Sequence, residues 1–338
     1  MVTLKEIAEL SGVSRGTVDR VINNRGSVKP ETAERVRAIA KRLDYRPNKV
    51  GRALAAQKKK YKLGAILFSK KNPFFDDVVR GVKAKADELK DYDVSVAIRQ
   101  IDYSLESQIN TIDEMVADGI SGLVITPYNN KKIQAKIDEL VSRKIPVVTV
   151  NSDIEKSSRI AYVGSDYFLG GKVAAGLFAL MTQGDINLGI ITGSSEILCH
   201  TERINGLRQT LENSYPRIHI VDIRENLDDQ IISYSATKEM LLTHPEINAL
   251  FFTASGVHGG CRAVQELNRK PRIISFDEVP STVEMLKEGV ISVSIGQQPY
   301  WQGSTSLGIL FDYLSSGTLP ENELNYSEPI IRIRENLI

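Results

Sequence analysis

Two cysteines in 338 residues, Cys199 and Cys261, are too few for a disulfide scaffold, which excludes a fold held together by cross-links. No apolar run approaches the ~18 residues that a membrane span requires, and the chain opens MVTLKE without a basic-then-apolar leader. The expected compartment is therefore the cytoplasm. Neither a GxGxxG motif nor a P-loop lysine pattern occurs, so nucleotide-dependent chemistry lacks its phosphate cradle. The four histidines, His200, His219, His244 and His258, show no metal-ligand spacing among themselves or with the cysteines. No metal, cofactor or enzymatic activity is expected. Surface or partly satisfied loop positions are the simpler reading for these histidines, although His200 and His258 lie in loops of the expected pocket. Cys261, after two glycines, reads as a small buried packing residue.

What is present divides unevenly. The length predicts two or three domains with sizeable apolar cores. Net charge is only +1, yet residues 1 to 62 hold 16 Lys and Arg against 6 Asp and Glu, while the remainder holds 27 against 36. A basic head on an acidic body is the electrostatic footprint of a polyanion binder, because the body would be repelled by the polymer that attracts the head.

The head begins TLKEIAELSGVSRGTVDRVINN. Thr3 and Glu6 have capping-box spacing for a helix over 4–10, with Ile7, Ala8 and Leu10 on its apolar face. Ser11-Gly12-Val13 makes a turn whose glycine tolerates positive φ, and Ser14 caps a second helix reaching about residue 23, with Val18, Val21 and Ile22 inward. A third starts at Pro30 and carries Ala33, Val36, Ile39, Ala40 and Leu43 at helical spacing. Two helices joined by a tight glycine turn in a basic segment form a helix-turn-helix, although three-helix cores also occur in protein-binding modules.

This stretch, followed by VKPETAERVRAIAKRLDYRPNKVGRALA, resembles the DNA-binding head of the lactose-repressor (LacI/GalR) family over essentially all of residues 2–56. The resemblance implies that Arg15, Gly16 and Arg20 point at base edges, where an arginine can grip guanine bidentately. It implies phosphate contacts at Thr3, Thr17, Asn23 and Thr32. Asp19 stands where the family usually has serine; it can accept from cytosine or pair within its helix with Arg15 and Asn23. The short KVGRALAA segment corresponds to the family's hinge helix, with Leu54 as a minor-groove wedge.

From residue 62 the pattern changes to short apolar runs, LGAILF, VSVAI, GLVIT, VVTV, YVG, NLGIIT, IHIVD, ALFF, RIIS and SVSI. Helical stretches such as 76–89 and 131–143 separate them. Parallel sheets with helices on both faces follow, two sheets fitting the length, with ligands at the carboxyl ends of the strands. The loops to inspect there are 71–75, 126–128, 151–153, 202–203, 276–277 and 296–299, where adjacent aromatics can stack on a sugar ring and Asn, Asp, Arg and Gln can chelate hydroxyls.

The order of these pieces is similar to the ribose-binding-protein type of two-lobed sugar receptor, through NPFFDDVVRGVKAKADEL, VGSDYFLGGKVAAGLF, TERINGLRQTL, ISFDEVP and ISVSIGQQP. The resemblance implies a pocket in which Asn72 bonds hydroxyls, Phe74 and Phe75 stack from a loop, and Arg203, Asp277 and Gln297 clamp. Asn151 replaces an aspartate. Ala254 and Ser255 replace an asparagine and an aspartate, which points away from ribose toward another sugar, a polyol or a cyclitol.

The expected architecture is a small all-α helix-turn-helix head (1–48), a hinge and linker (49–61) and an α/β two-lobed periplasmic-binding-protein-like (type I) body (62–338). The N-lobe is expected near 62–164 and 298–326, the C-lobe near 165–297 and 327–338. The expected function is a transcriptional regulator of the repressor type, a homodimer on operator DNA controlled by a small sugar-like effector. The rivals are a sugar-binding receptor or sugar-modifying enzyme without DNA function, and a DNA-binding regulator answering to a protein or phosphorylated metabolite.

Overall fold

In the computed structural model, residues 2–22, 28–43, 60–68, 72–182, 184–195 and 197–337 are described. The head consists of α1 (Leu4–Ser11), α2 (Arg15–Ile22) and α3 (Pro30–Arg42). Thr3 Oγ1 accepts from the Glu6 amide and Glu6 returns the bond to the Thr3 amide at 2.7 Å, closing the capping box. Gly12 ends α1 at φ +66°, a left-handed conformation that a side chain would strain. Ile7, Val18 and Val36 are fully buried and centre the small core. Leu10, expected on the inner face, is 54% exposed; the spacing instead turns Ser11 inward, where its hydroxyl bonds the Ile7 carbonyl.

Two six-stranded sheets form the body. The first, in the order β11-β5-β4-β3-β1-β2, contains β1 (Lys62–Phe68), β2 (Ser95–Ile101), β3 (Gly122–Ile125), β4 (Val147–Val150), β5 (Ala161–Ser165) and β11 (Leu324–Ser327), all parallel. The second, β12-β10-β9-β8-β6-β7, contains β6 (Ile186–Thr192), β7 (Ile218–Glu225), β8 (Ala249–Phe252), β9 (Arg272–Phe276), β10 (Val293–Gly296) and β12 (Ile330–Arg332). The ten apolar runs all form strands. β11 and β12 have no counterpart in the sequence reading, since they are half exposed and carry little apolar signal; β12 runs antiparallel at its edge.

Helices cover the sheets: α4 (Phe74–Leu89), α5 (Leu105–Ala117), α6 (Lys131–Ser142) and α12 (Pro299–Ser316) accompany the first, and α7 (Tyr167–Met181), α8 (Leu198–Ser214), α9 (Gln230–Thr243), α10 (Val257–Glu266) and α11 (Pro280–Lys287) the second. Both lobes contain helices packed backbone to backbone through glycines. A Cβ on Gly81 of α4 would lie 2.0 Å from the Tyr300 carbonyl oxygen of α12, and one on Gly171 of α7 would lie 2.0 Å from the Arg203 carbonyl oxygen of α8.

The chain passes between the sheets three times, at Asp166, at Gln297–Gln298 and between β11 and β12. These crossings are tied together: the Ser165 and Ser327 hydroxyls lie 3.1 Å apart, and Gln298 Nε2 donates to the Glu328 carbonyl at 3.0 Å.

Candidate functional site

A cavity lies where the carboxyl ends of both sheets face each other. Its volume is about 80 Å³, several times what a single water needs. Asn72, Phe74, Phe75, Asn151, Arg203, Asp277 and Gln297 all line it, so the structure brings together the seven residues singled out for the effector.

Several of them sit otherwise than expected. Phe74 and Phe75 are not loop residues but the first turn of α4, whose start precedes the expected residue 76. Both are buried, pack edge to face at 5.4 Å and belong to the core as well as to the cavity wall. Asn72 spends its Oδ1 on the Phe74 amide at 3.0 Å, which leaves the amide nitrogen for a ligand. The Asn151 carbonyl accepts from the Tyr162 and Tyr167 hydroxyls, with Asn151 held at φ +64°.

The C-terminal wall carries the charge. Arg203 is 4% exposed, places Cζ over the Phe276 ring 3.7 Å from its centroid and donates through Nη1 to the Thr253 carbonyl, while its Nε has no partner. Gln297 Nε2 donates to Asp277 Oδ1 at 2.6 Å, and its Oε1 is buried without a partner. Burial, with repulsion from Glu278 and Asp228, pushes the Asp277 carboxyl up to about 6 against the pull of Arg203 and Gln297. Unpartnered donors and acceptors at one cavity are unmet hydrogen-bonding capacity, which a polyhydroxylated ligand would satisfy.

The Asp277 shift has a consequence for stability. The folded carboxyl keeps its proton to about pH 6, whereas an unfolded aspartate releases it near ~3.9. The folded state holds the extra proton between those values, so ligand-free stability falls as pH rises through that window. Asp277→Asn should therefore match wild type near pH 4 and exceed it by about 2 kcal/mol at pH 7.5 in urea unfolding. Equal stabilities at both pH values would show that burial does not strain this carboxylate.

Further lining residues escaped the sequence reading. Tyr167 comes from α7, Asp228 from the turn after β7, where Leu227 and Asp228 both adopt positive φ, and Gln230 is the first residue of α9. The apparent loss of chelators at Ala254 and Ser255 is met by this turn: Asp228 Oδ1 accepts from the Ser255 amide at 2.8 Å. His200 is neither on the surface nor in a loop. It lies buried in α8 against the cavity, made possible by Gly193, where a Cβ would fall 2.0 Å from the imidazole. His258 lines a separate depression with Ile231, Tyr234 and Arg262.

Other inspected loops have structural partners instead. Gln108 fastens the 126–128 loop through the Thr126 carbonyl and the Tyr128 amide, and Asp153 pairs with Arg159 at 2.6 Å. Residues 202–203, expected in a loop, lie within α8, where Glu202 accepts from Asn205 Nδ2 at 3.1 Å.

In the head, Arg15, Gly16 and Arg20 are exposed along α2, with Thr17 and Thr32 half-buried and Thr3 exposed at the start of α1. Arg20 folds back along its helix, Nε to the Gly16 carbonyl at 3.2 Å and Nη2 to Thr17 Oγ1 at 3.3 Å. Asn23 and Leu54 lie outside the described residues. Among the described residues no helix is long and apolar enough to cross a membrane.

Two protein families match the chain. One is described as periplasmic binding protein domain and covers residues 63–318; the other, bacterial regulatory proteins of the lacI family, covers residues 3–48. Catabolite control protein A of Priestia megaterium is 27% identical over 94% of each chain. The ribose operon repressor of Halalkalibacterium halodurans is 25% identical, over 83% of this chain and 81% of its own. Among solved structures, the arabinose binding protein AraP of Geobacillus stearothermophilus superposes with a TM-score of 0.73 at 26% identity, covering 82% of this chain and 98% of that one.

Proposed function

Because the chain belongs to the lacI family of bacterial regulatory proteins, with a periplasmic-binding-protein body, we propose that it is a repressor-type transcriptional regulator. It binds a pseudo-palindromic operator as a homodimer and is switched by a small neutral sugar, polyol or cyclitol closed between its lobes. The cavity between the lobes carries this reading. Asn72, Phe74, Phe75 and Asn151 reach it from one lobe and Arg203, Asp228 and Asp277 from the other, so a ligand that fills it favours the closed arrangement.

The cavity's charge supports a neutral ligand. Among the described residues no lysine lines it, and Arg203 and His200 are matched there by Asp228 and Asp277, so a phosphate dianion would meet two carboxylates. Ala254 and Ser255 in place of longer chelators, with Asp228 added from the neighbouring turn and Gln230 from the start of α9, favour a hydroxyl pattern other than that of ribose.

We place the domains at 1–48, 49–61 and 62–338, with lobes divided near 164–165, 297–298 and 326–327. The dimer is built in part on the exposed apolar residues of β7 and α9, Ile223, Ile231 and Leu242, which are 37%, 76% and 63% exposed beside a sheet edge. The protein works in the cytoplasm, where operator DNA is found, and the reading calls for no catalysis.

The test is a thermal-shift screen of the full chain with neutral sugars, polyols, cyclitols and sugar phosphates, followed by anisotropy on duplexes selected from a random pool. A neutral compound should raise the midpoint and change operator affinity. A response to sugar phosphates alone would overturn the neutral-ligand reading and support the phosphorylated-metabolite rival. Arg20→Ala should cost about 1 to 3 kcal/mol at one base position of each half-site. Equal losses on operator and random DNA would make Arg20 a phosphate contact.

A further inference from the structure

The wall of the effector cavity contains a buried hydroxyl that bonds nothing. α11 turns Thr282, Met285 and Leu286 inward as one stripe, and Met285 and Leu286 pack into the same apolar core as Val257 of α10. Thr282 is fully buried and lines the cavity, and its Oγ1 has no partner among the described residues. Valine has nearly the same shape and would suit that stripe better, because a buried hydroxyl without a hydrogen bond destabilises the fold that contains it. A polar group left idle at a cavity wall calls for a partner from outside the chain.

The surroundings of Thr282 indicate what that partner is. Ala254, Val257 and Val279 line the cavity with it and are apolar, Ala254 and Val257 being buried. α10 begins at Val257 without a side-chain cap, and Gln230 Oε1 accepts from the Gly259 amide at 2.7 Å. Among the described residues no hydrogen bond reaches the Val257 or His258 amide. The Ser255 backbone is already engaged, its amide with Asp228 Oδ1 at 2.8 Å and its carbonyl with Asn226 Nδ2 at 2.7 Å. Idle donors are therefore set among small apolar side chains.

We propose that Thr282 is a specificity-determining residue of the effector site, bonding the oxygen of an exocyclic hydroxymethyl group whose carbon packs against Ala254, Val257 and Val279. The effector is then a neutral hexose and not a pentose. An oxygen carried one carbon off the ring accepts from the threonine hydroxyl or the open amides of α10 while its methylene covers the apolar wall; a hydroxyl on the ring itself brings no carbon to these side chains. The short Ala254 side chain leaves the room that a longer chelator would take. The assignment rests on the neutral-ligand reading above and narrows it.

The experiment applies calorimetry and thermal shift to the full chain with pairs of sugars that differ only in a hydroxymethyl group: D-glucose with D-xylose, D-galactose with L-arabinose, and D-mannose with D-lyxose. In at least one pair the hexose should bind about tenfold tighter than its pentose, or more. Thr282→Val should weaken that hexose about tenfold, leave the pentose unchanged and raise the ligand-free melting midpoint by about 1 to 3 °C, since the idle hydroxyl is gone. Thr282→Ser retains the hydroxyl and should retain the preference. A threonine with a purely structural role would lower the midpoint in the valine variant and shift both sugars alike. That result overturns the proposal, as does a hexose no tighter than its pentose in every pair, or one bound equally by wild type and Thr282→Val. Binding of none of these sugars, with a cyclitol or polyol active in the wider screen, overturns it while the neutral-ligand reading stands; a response to sugar phosphates alone overturns both.

Discussion

Arg203→Ala should weaken effector binding about 100-fold, roughly 3 kcal/mol, while operator binding without effector persists. The guanidinium is held over the Phe276 ring and anchored by the Thr253 carbonyl, so its remaining donors are positioned before a ligand arrives. A preset donor in a desolvated cleft loses little entropy on binding, and its bonds to hydroxyls are charge-assisted. Alanine also leaves Asp277 without the positive charge that opposes its protonation, which degrades the second polar partner in the same step. Calorimetry with the neutral compound found by the thermal-shift screen measures this. An unchanged Kd would remove Arg203 from the site and with it the placement of the effector in this cavity.

A larger loss, in stability, is expected from one methyl group at Gly171. A Cβ there would sit 2.0 Å from the Arg203 carbonyl oxygen and 2.7 Å from the Leu207 nitrogen, both backbone atoms of α8 that no rotamer change can move. The helices must separate, and Gly171→Ala should cost about 4 kcal/mol, beyond the usual range for overpacking because the obstacle is main chain. Gly176, five residues along the same helix, is the internal comparison. Its Cβ would meet only the Tyr215 hydroxyl at 3.9 Å, so Gly176→Ala should be neutral or stabilising by about 0.5 to 1 kcal/mol. Urea unfolding of the two variants reads the contrast directly. Similar midpoints would mean that α7 and α8 are not in backbone contact, and the mechanism that positions Arg203 would be lost.

These variants also mark the limit of what could be read without coordinates. Capping, glycine turns and apolar spacing specify the three head helices because each is a local property of a few consecutive residues. The ten apolar strands are equally legible: eight are largely buried on both faces and so apolar almost throughout, and the edge strands β2 and β7 still carry short apolar runs. Leu10 was misplaced because a single helical turn offers neighbouring positions whose inward direction depends on where the other two helices pack. Phe74 and Phe75 fell on the wrong side of an element boundary; Asn72 starts the helix through its side chain, two residues earlier than the apolar pattern announces it.

The sequence by itself determined the basic head, the alternating α/β body and, through the resemblance of its motifs, seven residues that share one cavity. It did so because charge, periodicity and turn chemistry are written in adjacent residues. Only the tertiary structure decided that Tyr167, Asp228, Gln230 and the Cys199–His200 pair join them. Asp228 enters through two consecutive positive-φ residues that are not glycine, and His200 enters through space left by Gly193 on another element. Such placements depend on the packing of elements distant in the chain, and no window of neighbouring residues records that packing.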